Sequence, residues 1–272
     1  MMRRMFLPIV TSAVVTLSGC AEPPQRGAQP VMSQPLAEVT CPDFSQVQAR
    51  KVVQILIDRS GSVSDRAEER VLRFRNDAAQ IVDRLPPATV VFVRYISDNS
   101  YRDTELYLLD TIPEEPPAVT CRVTNPFDVR QRRRCKQEYL RYEAQMSCLT
   151  AARARIVTAL QALTPARANK TDVWGGIAIA EEVFRTYAAP HSLLVVYSDL
   201  EDNVRTPLPN MLPGLKGAEV IVRAARADNP AEMTRRFTAF EQRLAGWGAS
   251  VKSQPIDVPL NEIFSAINVA QR

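Results

Sequence analysis

The sequence has 272 residues, 46% apolar and 24% charged, an ordinary globular balance with enough chain for one sizeable core. The net charge of +4 includes Arg3 and Arg4 in an acid-free leader; without them 32 basic residues face 30 acidic ones, so no strong global field argues for nucleic acid. A lone histidine, His191, and five cysteines with no CxxC pair leave none of the usual zinc spacings.

The chain opens with a secretory layout. Residues 6–19 are apolar or small and uncharged, a run too short for a comfortable membrane span. It ends Leu17-Ser18-Gly19-Cys20, which resembles the bacterial lipobox, where the cysteine is lipidated and becomes the new N-terminus. The resemblance implies a signal peptide over 1–19, an acylated Cys20 and lipid anchoring in the cell envelope. A plain cleaved leader with an incidental cysteine is the competing reading. Ala21 stands where an aspartate retains enteric lipoproteins at the inner membrane, which favours the outer membrane. Residues 20–48, with Pro23, Pro24, Pro30 and Pro35, read as an extended tether, and a domain is placed at 49–272.

Within that domain strand-like and helix-like segments alternate. The fold class expected is α/β: a doubly wound, mostly parallel central sheet with helices on both faces and one antiparallel edge strand. Residues 52–57 form an apolar run interrupted by Gln54. Residues 64–85 carry apolar side chains at helical spacing, from Ala67 through Phe74 to Leu85, and Pro86-Pro87 stops them. Residues 89–96 are strand-like. A turn at 97–100, which includes Asp98, leads to a strand at 105–112 expected to pair antiparallel. Residues 113–148 break the pattern with four prolines, three cysteines and a basic cluster, and read as an insertion. Helices follow at 149–163 and after Thr171, then strands at 191–197 and 218–223, a helix at 233–247, a strand at 250–258 and a closing helix at 260–269.

Three features fall at the carboxyl ends of strands, where ligands bind in such sheets. They are Asp58-Arg59-Ser60-Gly61-Ser62, then Thr171, then Asp199. This D-x-S-x-S, Thr, Asp order resembles the von Willebrand factor type A domain and its metal-ion-dependent adhesion site, over residues 50–272. Leu200 departs from the glycine common after that aspartate, and the cysteine-bearing insertion is a second departure. Hydroxyls and two carboxylates are hard oxygen donors with little negative charge, a set suited to Mg²⁺ or Mn²⁺. The resemblance implies that Ser60, Ser62 and Thr171 ligate directly, that Asp58 and Asp199 ligate directly or through water, and that an open position accepts a carboxylate from an unidentified protein ligand. Taken singly, Ser62 or Ser64 also suits a cap for the first helix, Thr171 or Asp172 a cap for the next, and Asp58 and Asp199 a turn.

The function expected is a membrane-anchored, non-enzymatic adhesion or assembly module. A metal-independent scaffold is the first alternative. A metal-dependent phosphoesterase lacks the usual number of carboxylates or histidines, and a serine hydrolase would need a base that His191, at the start of its strand, does not provide for Ser60. Cys41, Cys121, Cys135 and Cys148 in an exported chain suggest two disulfides, with three pairings open. Residues 121–143 hold seven basic residues, Arg132, Arg133 and Arg134 among them, against three acids. A solvated face is the ordinary explanation of such a run. An antiparallel 105–112 strand would start the insertion at the edge opposite the metal site, where the tether enters, and so aim the cluster at an anionic membrane surface.

Overall fold

The run of apolar residues that ends at Asp58 forms the middle of the sheet. All eight residues of β1 (Lys51–Asp58) are buried, because β2 (Thr89–Ile96) and β4 (His191–Tyr197) flank it in parallel and helices cover both faces. The computed structural model describes residues 41, 49–58, 67–100, 106–163, 170–204, 212–224 and 229–260. The chain divides into two compact units, Met1–Glu38 and Val39–Arg272, and every described residue belongs to the second.

The remaining elements are α1 (Ala67–Asp83), β3 (Leu106–Ile112), α2 (Val129–Gln161), α3 (Val173–Tyr187), β5 (Glu219–Ala224), α4 (Pro230–Gly246) and β6 (Ser250–Pro255). The strand order is β3-β2-β1-β4-β5-β6, with only the β2–β3 pair antiparallel. This is the doubly wound, mostly parallel sheet with one antiparallel edge that the alternation predicted. Strand order reverses direction at β1, so the carboxyl ends of β1 and β4 border the topological switch point.

Alternate side chains sort onto two faces. Val53, Ile55 and Ile57 pack with Phe74, Ala78 and Ile81 of α1 and with Leu149, Ile156 and Leu160 of α2. Val52 and Leu56 pack with Val173, Ile177 and Phe184 of α3 and with Phe240 and Leu244 of α4. A buried ion pair ties the first face together. Arg223 of β5 is 1% exposed, and its Nε and Nη2 donate to the two carboxylate oxygens of Asp77 at 3.0 and 2.9 Å. The same guanidinium donates to the carbonyls of Pro255, Ile256 and Val258. The Tyr197 hydroxyl also donates to Asp77, at 2.9 Å. Burial, and next the Asp77 charge, push that hydroxyl well above its ordinary pKa.

One expectation is corrected. The helix expected at 149–163 begins at Val129, so the basic segment belongs to a single 33-residue helix. Only the part before Asp128 lacks helical structure. Asp128 caps the start, its carboxylate accepting from the N–H groups of Arg130 and Gln131 at 2.9 and 3.0 Å. From there the chain has no Pro or Gly and is rich in good helix formers. Periodicity missed this half because none of residues 129–147 is buried, so they carry no core-facing stripe. Smaller differences lie at element ends: β6 stops at Pro255 rather than 258, and α4 starts at Pro230, behind an Asn229 cap, rather than at 233. The closing helix expected at 260–269 lies outside the described residues, apart from Leu260.

Both disulfides lie in this region. Cys121 pairs with Cys135, and Cys41 pairs with Cys148. Ile112 of β3 stands beside Thr89, the first residue of β2, and the Ala88 N–H donates to the Pro113 carbonyl at 3.0 Å. The segment after β3 therefore starts at the amino edge of the parallel strands. Residues 122–125 then run beside the start of α2, with the Gln131 amide bonded to Arg122, Thr124 and Asn125.

Candidate functional site

Asp58 is the last residue of β1 and is 8% exposed. Ile57 pairs with Tyr197, so Ser198, one residue past β4, stands beside it. The Ser198 hydroxyl donates to Asp58 Oδ2 at 2.7 Å, and its oxygen accepts the Leu200 N–H at 3.0 Å. Ser198 thus fixes the carboxylate on one side and the following loop on the other. Leu200 has φ of 60°, the left-handed conformation that glycine adopts without cost and leucine at about 1–3 kcal/mol. The loop therefore keeps a glycine-like shape without glycine, helped by partial burial of Leu200 against the α3–α4 core.

Thr171 reaches the same edge from the other side of β1. It is completely buried, and its hydroxyl has no hydrogen-bond partner among the described residues. Its backbone is clamped. The Asn203 N–H donates to the Thr171 carbonyl at 2.9 Å, and the Asp172 N–H donates to Ser97 O at 2.9 Å. Asp98, expected as a turn residue, accepts the Lys170 N–H at 2.8 Å. The loops after β2 and β4 thus both hold the segment that leads into α3.

The start of α3 explains two nearby acids. Asp172 Oδ1 accepts the Gly175 N–H at 2.9 Å, and Asp202 Oδ1 accepts the Val173 N–H at 3.1 Å. Both carboxylates meet the positive end of the helix. A Cβ on residue 175 would lie 2.1 Å from an Asp172 carboxylate oxygen, so this position admits only glycine while the cap is in place.

Asp199 is partly exposed. Its Oδ1 accepts the Glu201 N–H at 2.9 Å, and its carbonyl takes a bond from Arg236 of α4 at 3.3 Å. The structure therefore places Asp58, Thr171 and Asp199 at one sheet edge. Ser60 and Ser62, and Cys20 far upstream, lie outside the described residues. Asp172 caps α3, as one of the two caps the sequence offered there, whereas sequence reasoning assigned no role to Ser198 or Asp202. Ser198 was within reach, because parallel pairing of the two buried runs sets it opposite Asp58.

Among the described residues no three His, Cys, Asp or Glu side chains gather as a metal-holding group. Among the described residues this edge carries the hydroxyls of Thr171 and Ser198 and the carboxylates of Asp58, Asp98, Asp172, Asp199 and Asp202, all oxygen donors. That chemistry fits a hard, oxygen-seeking divalent cation, and the unpartnered Thr171 hydroxyl is the polar atom such an ion would satisfy. An open groove lined by Arg50, Lys51, Pro86, Glu114 and His191 lies at the opposite edge of the sheet.

Fold and site together define the class: a doubly wound α/β domain with an oxygen-rich edge at its switch point. No protein-family model and no curated protein matches the chain. Among solved structures it is similar to a von Willebrand factor type A protein from Catenulispora acidiphila, at 14% identity and TM-score 0.44, covering 76% of this chain and 39% of that one. It is also similar to proximal thread matrix protein 1 from the mussel byssus with a zinc-occupied MIDAS motif, at 14% identity and TM-score 0.47, covering 82% and 46%. A further structure of the mussel protein gives 13%, 0.47, 81% and 46%. The chain spans less than half the length of these proteins.

Proposed function

We propose that this domain is a lipid-anchored, non-catalytic protein-binding module, of the adhesion or assembly kind, that holds Mg²⁺ or Mn²⁺ at the carboxyl ends of β1 and β4. The observation that supports it is the buried Thr171 hydroxyl, without a hydrogen-bond partner among the described residues, at the edge where Asp58 ends β1. A native fold rarely keeps such a group without a ligand or water to satisfy it. Ser60, Ser62 and Thr171 are the hydroxyl ligands in this reading, with Asp58 and Asp199 as the acids. A bound ion among neutral hydroxyls keeps enough positive charge to attract a carboxylate from a partner protein. Ser198 orients Asp58, and the two loop clamps hold Thr171 in place before the ion arrives.

Thermal unfolding in EDTA and in Mg²⁺ tests this. Saturation to about 100 times Kd adds about 2.7 kcal/mol, or about 5–10 °C in Tm for a domain of this size. Asp58→Ala should abolish the rise, and equal responses in both proteins would count against the site. Retention of partner proteins from an envelope extract should likewise need the ion. Retention unchanged by EDTA would indicate a metal-independent scaffold.

A further inference from the structure

The long helix does more than cover the sheet. Its packed half runs along β3. The Tyr107 hydroxyl donates to Ala159 O at 2.8 Å, Arg155 pairs with Asp110, and Arg153 donates to Leu85 O. Followed backward, α2 moves from the site edge toward the amino edge of the sheet and meets the Cys41–Cys148 disulfide there. Residues 129–147 continue beyond that point with nothing buried. At 1.5 Å per residue they project about 28 Å. The Cys121–Cys135 disulfide and the Gln131 bonds fasten the outgoing segment to the returning helix, which makes a braced stalk.

The tip of this stalk is unlike a solvated helix face. Phe127 is 87% exposed and Val129 is 59% exposed, with Val123 beside them in the outgoing segment. Exposed Arg130, Arg132, Arg133 and Arg134 follow directly. The nearby acids are largely engaged: Asp128 caps the helix and Glu138 pairs with Arg134 at 3.1 Å. Apolar side chains at a tip, ringed by cations, match a bilayer interface, where rings enter the acyl boundary and arginines meet anionic headgroups. A second copy of the chain is disfavoured, because residues 121–143 carry a net +4 that would repel itself.

We propose that the tip of the α2 stalk, Phe127 and Val129 with Arg130 and Arg132–Arg134, docks on an anionic lipid surface and holds the opposite edge of the sheet away from it. The 20 residues between Cys20 and Cys41 span up to about 70 Å when extended. That length is enough for a lipid at Cys20 to share the plane the tip touches. The anchor keeps the chain at the membrane, and the stalk sets the direction in which the domain faces.

The test uses residues 20–272 carrying Cys20→Ser, in EDTA, so that neither the apolar leader, acylation nor metal contributes. It is sedimented with phosphatidylglycerol vesicles and with phosphatidylcholine vesicles. Binding above the phosphatidylcholine level is expected at low salt and should weaken strongly by 0.5 M salt. At about fivefold in partitioning per cation, replacing Arg132, Arg133 and Arg134 with Ser lowers binding about a hundredfold. The Tm should stay unchanged, because these side chains are exposed. In Phe127→Trp, emission from the new indole should shift to the blue on phosphatidylglycerol vesicles only. A triple variant that sediments like the parent, or an indole that stays in water, overturns the proposal. Loss of vesicle binding alongside retention of polyglutamate overturns it in favour of an acidic protein partner. None of these readouts depends on Mg²⁺, so failure here is distinct from failure of the metal site.

Discussion

Replacing Thr171 with valine should raise stability in one buffer and lower it, relative to wild type, in another. The side chain is wholly buried and its hydroxyl lacks a partner among the described residues. An unsatisfied hydroxyl costs about 1–3 kcal/mol, and valine keeps the branched shape while removing the polar atom. In EDTA, Thr171→Val should therefore gain about 1–2 kcal/mol, or about 2–8 °C in Tm. In saturating Mg²⁺ the wild type gains about 2.7 kcal/mol from the ion and the variant gains little, so their order reverses. Differential scanning calorimetry in both buffers measures the two effects on one pair of proteins. A lower Tm for the variant in EDTA shows that the hydroxyl already has a partner. An undiminished Mg²⁺ response shows that Thr171 is not a ligand. Either result removes the main support for the metal reading.

Other outcomes follow from the buried pair beneath the sheet edge. Asp77→Ala leaves the Arg223 guanidinium enclosed without its counter-charge and should cost about 3–5 kcal/mol in urea unfolding. A loss under about 1 kcal/mol would mean that the three carbonyls around Arg223 suffice. Tyr197 sets the response to alkali. Its folded pKa is raised above the ordinary 10.0, so the unfolded chain ionises first and binds fewer protons. Stability is fully present below about pH 10 and falls as pH rises toward the folded value, by up to about 1.4 kcal/mol per pH unit. Tyr197→Phe should flatten that part of the pH–Tm curve. An unchanged slope would assign the alkaline loss to another group.

Much of the sheet is legible in the sequence because its strands are buried on both faces. The runs at 52–57, 89–96 and 191–197 can be little else, and each lies within one residue of an observed strand. The stalk was not legible. Pattern reading detects helices by the stripe they turn to a core, and Arg132 to Met146 turn none. Their cysteines and charges instead suggested irregular chain. At the site, Asp58, Thr171 and Asp199 were visible as polar residues punctuating apolar runs. Ser198 needed one step more, the parallel register of two runs more than a hundred residues apart, which sets it opposite Asp58. Asp172 was legible as a cap for the helix after Thr171, but Asp202 was hidden, because its bond to the Val173 N–H joins a loop to a helix start about thirty residues away.

The two disulfides are nested, and under the proposed export that order matters while the chain is made and crosses the membrane. Cys41 emerges first, but its partner lies 107 residues behind it, with Cys121 and Cys135 arriving in between. An oxidant that joined thiols as they appeared would link Cys41 to Cys121 and leave Cys135 to Cys148, a pairing in which the stalk could not form its brace. Reaching the native pattern requires either that Cys41 stay reduced until Cys148 has crossed, or that a thiolate exchange reopen the wrong bond, on a scale of seconds to hours without help. Under the proposed export, strains poor in isomerase should accumulate a mispaired, protease-sensitive form if the second route is used, and none if Cys41 stays reduced.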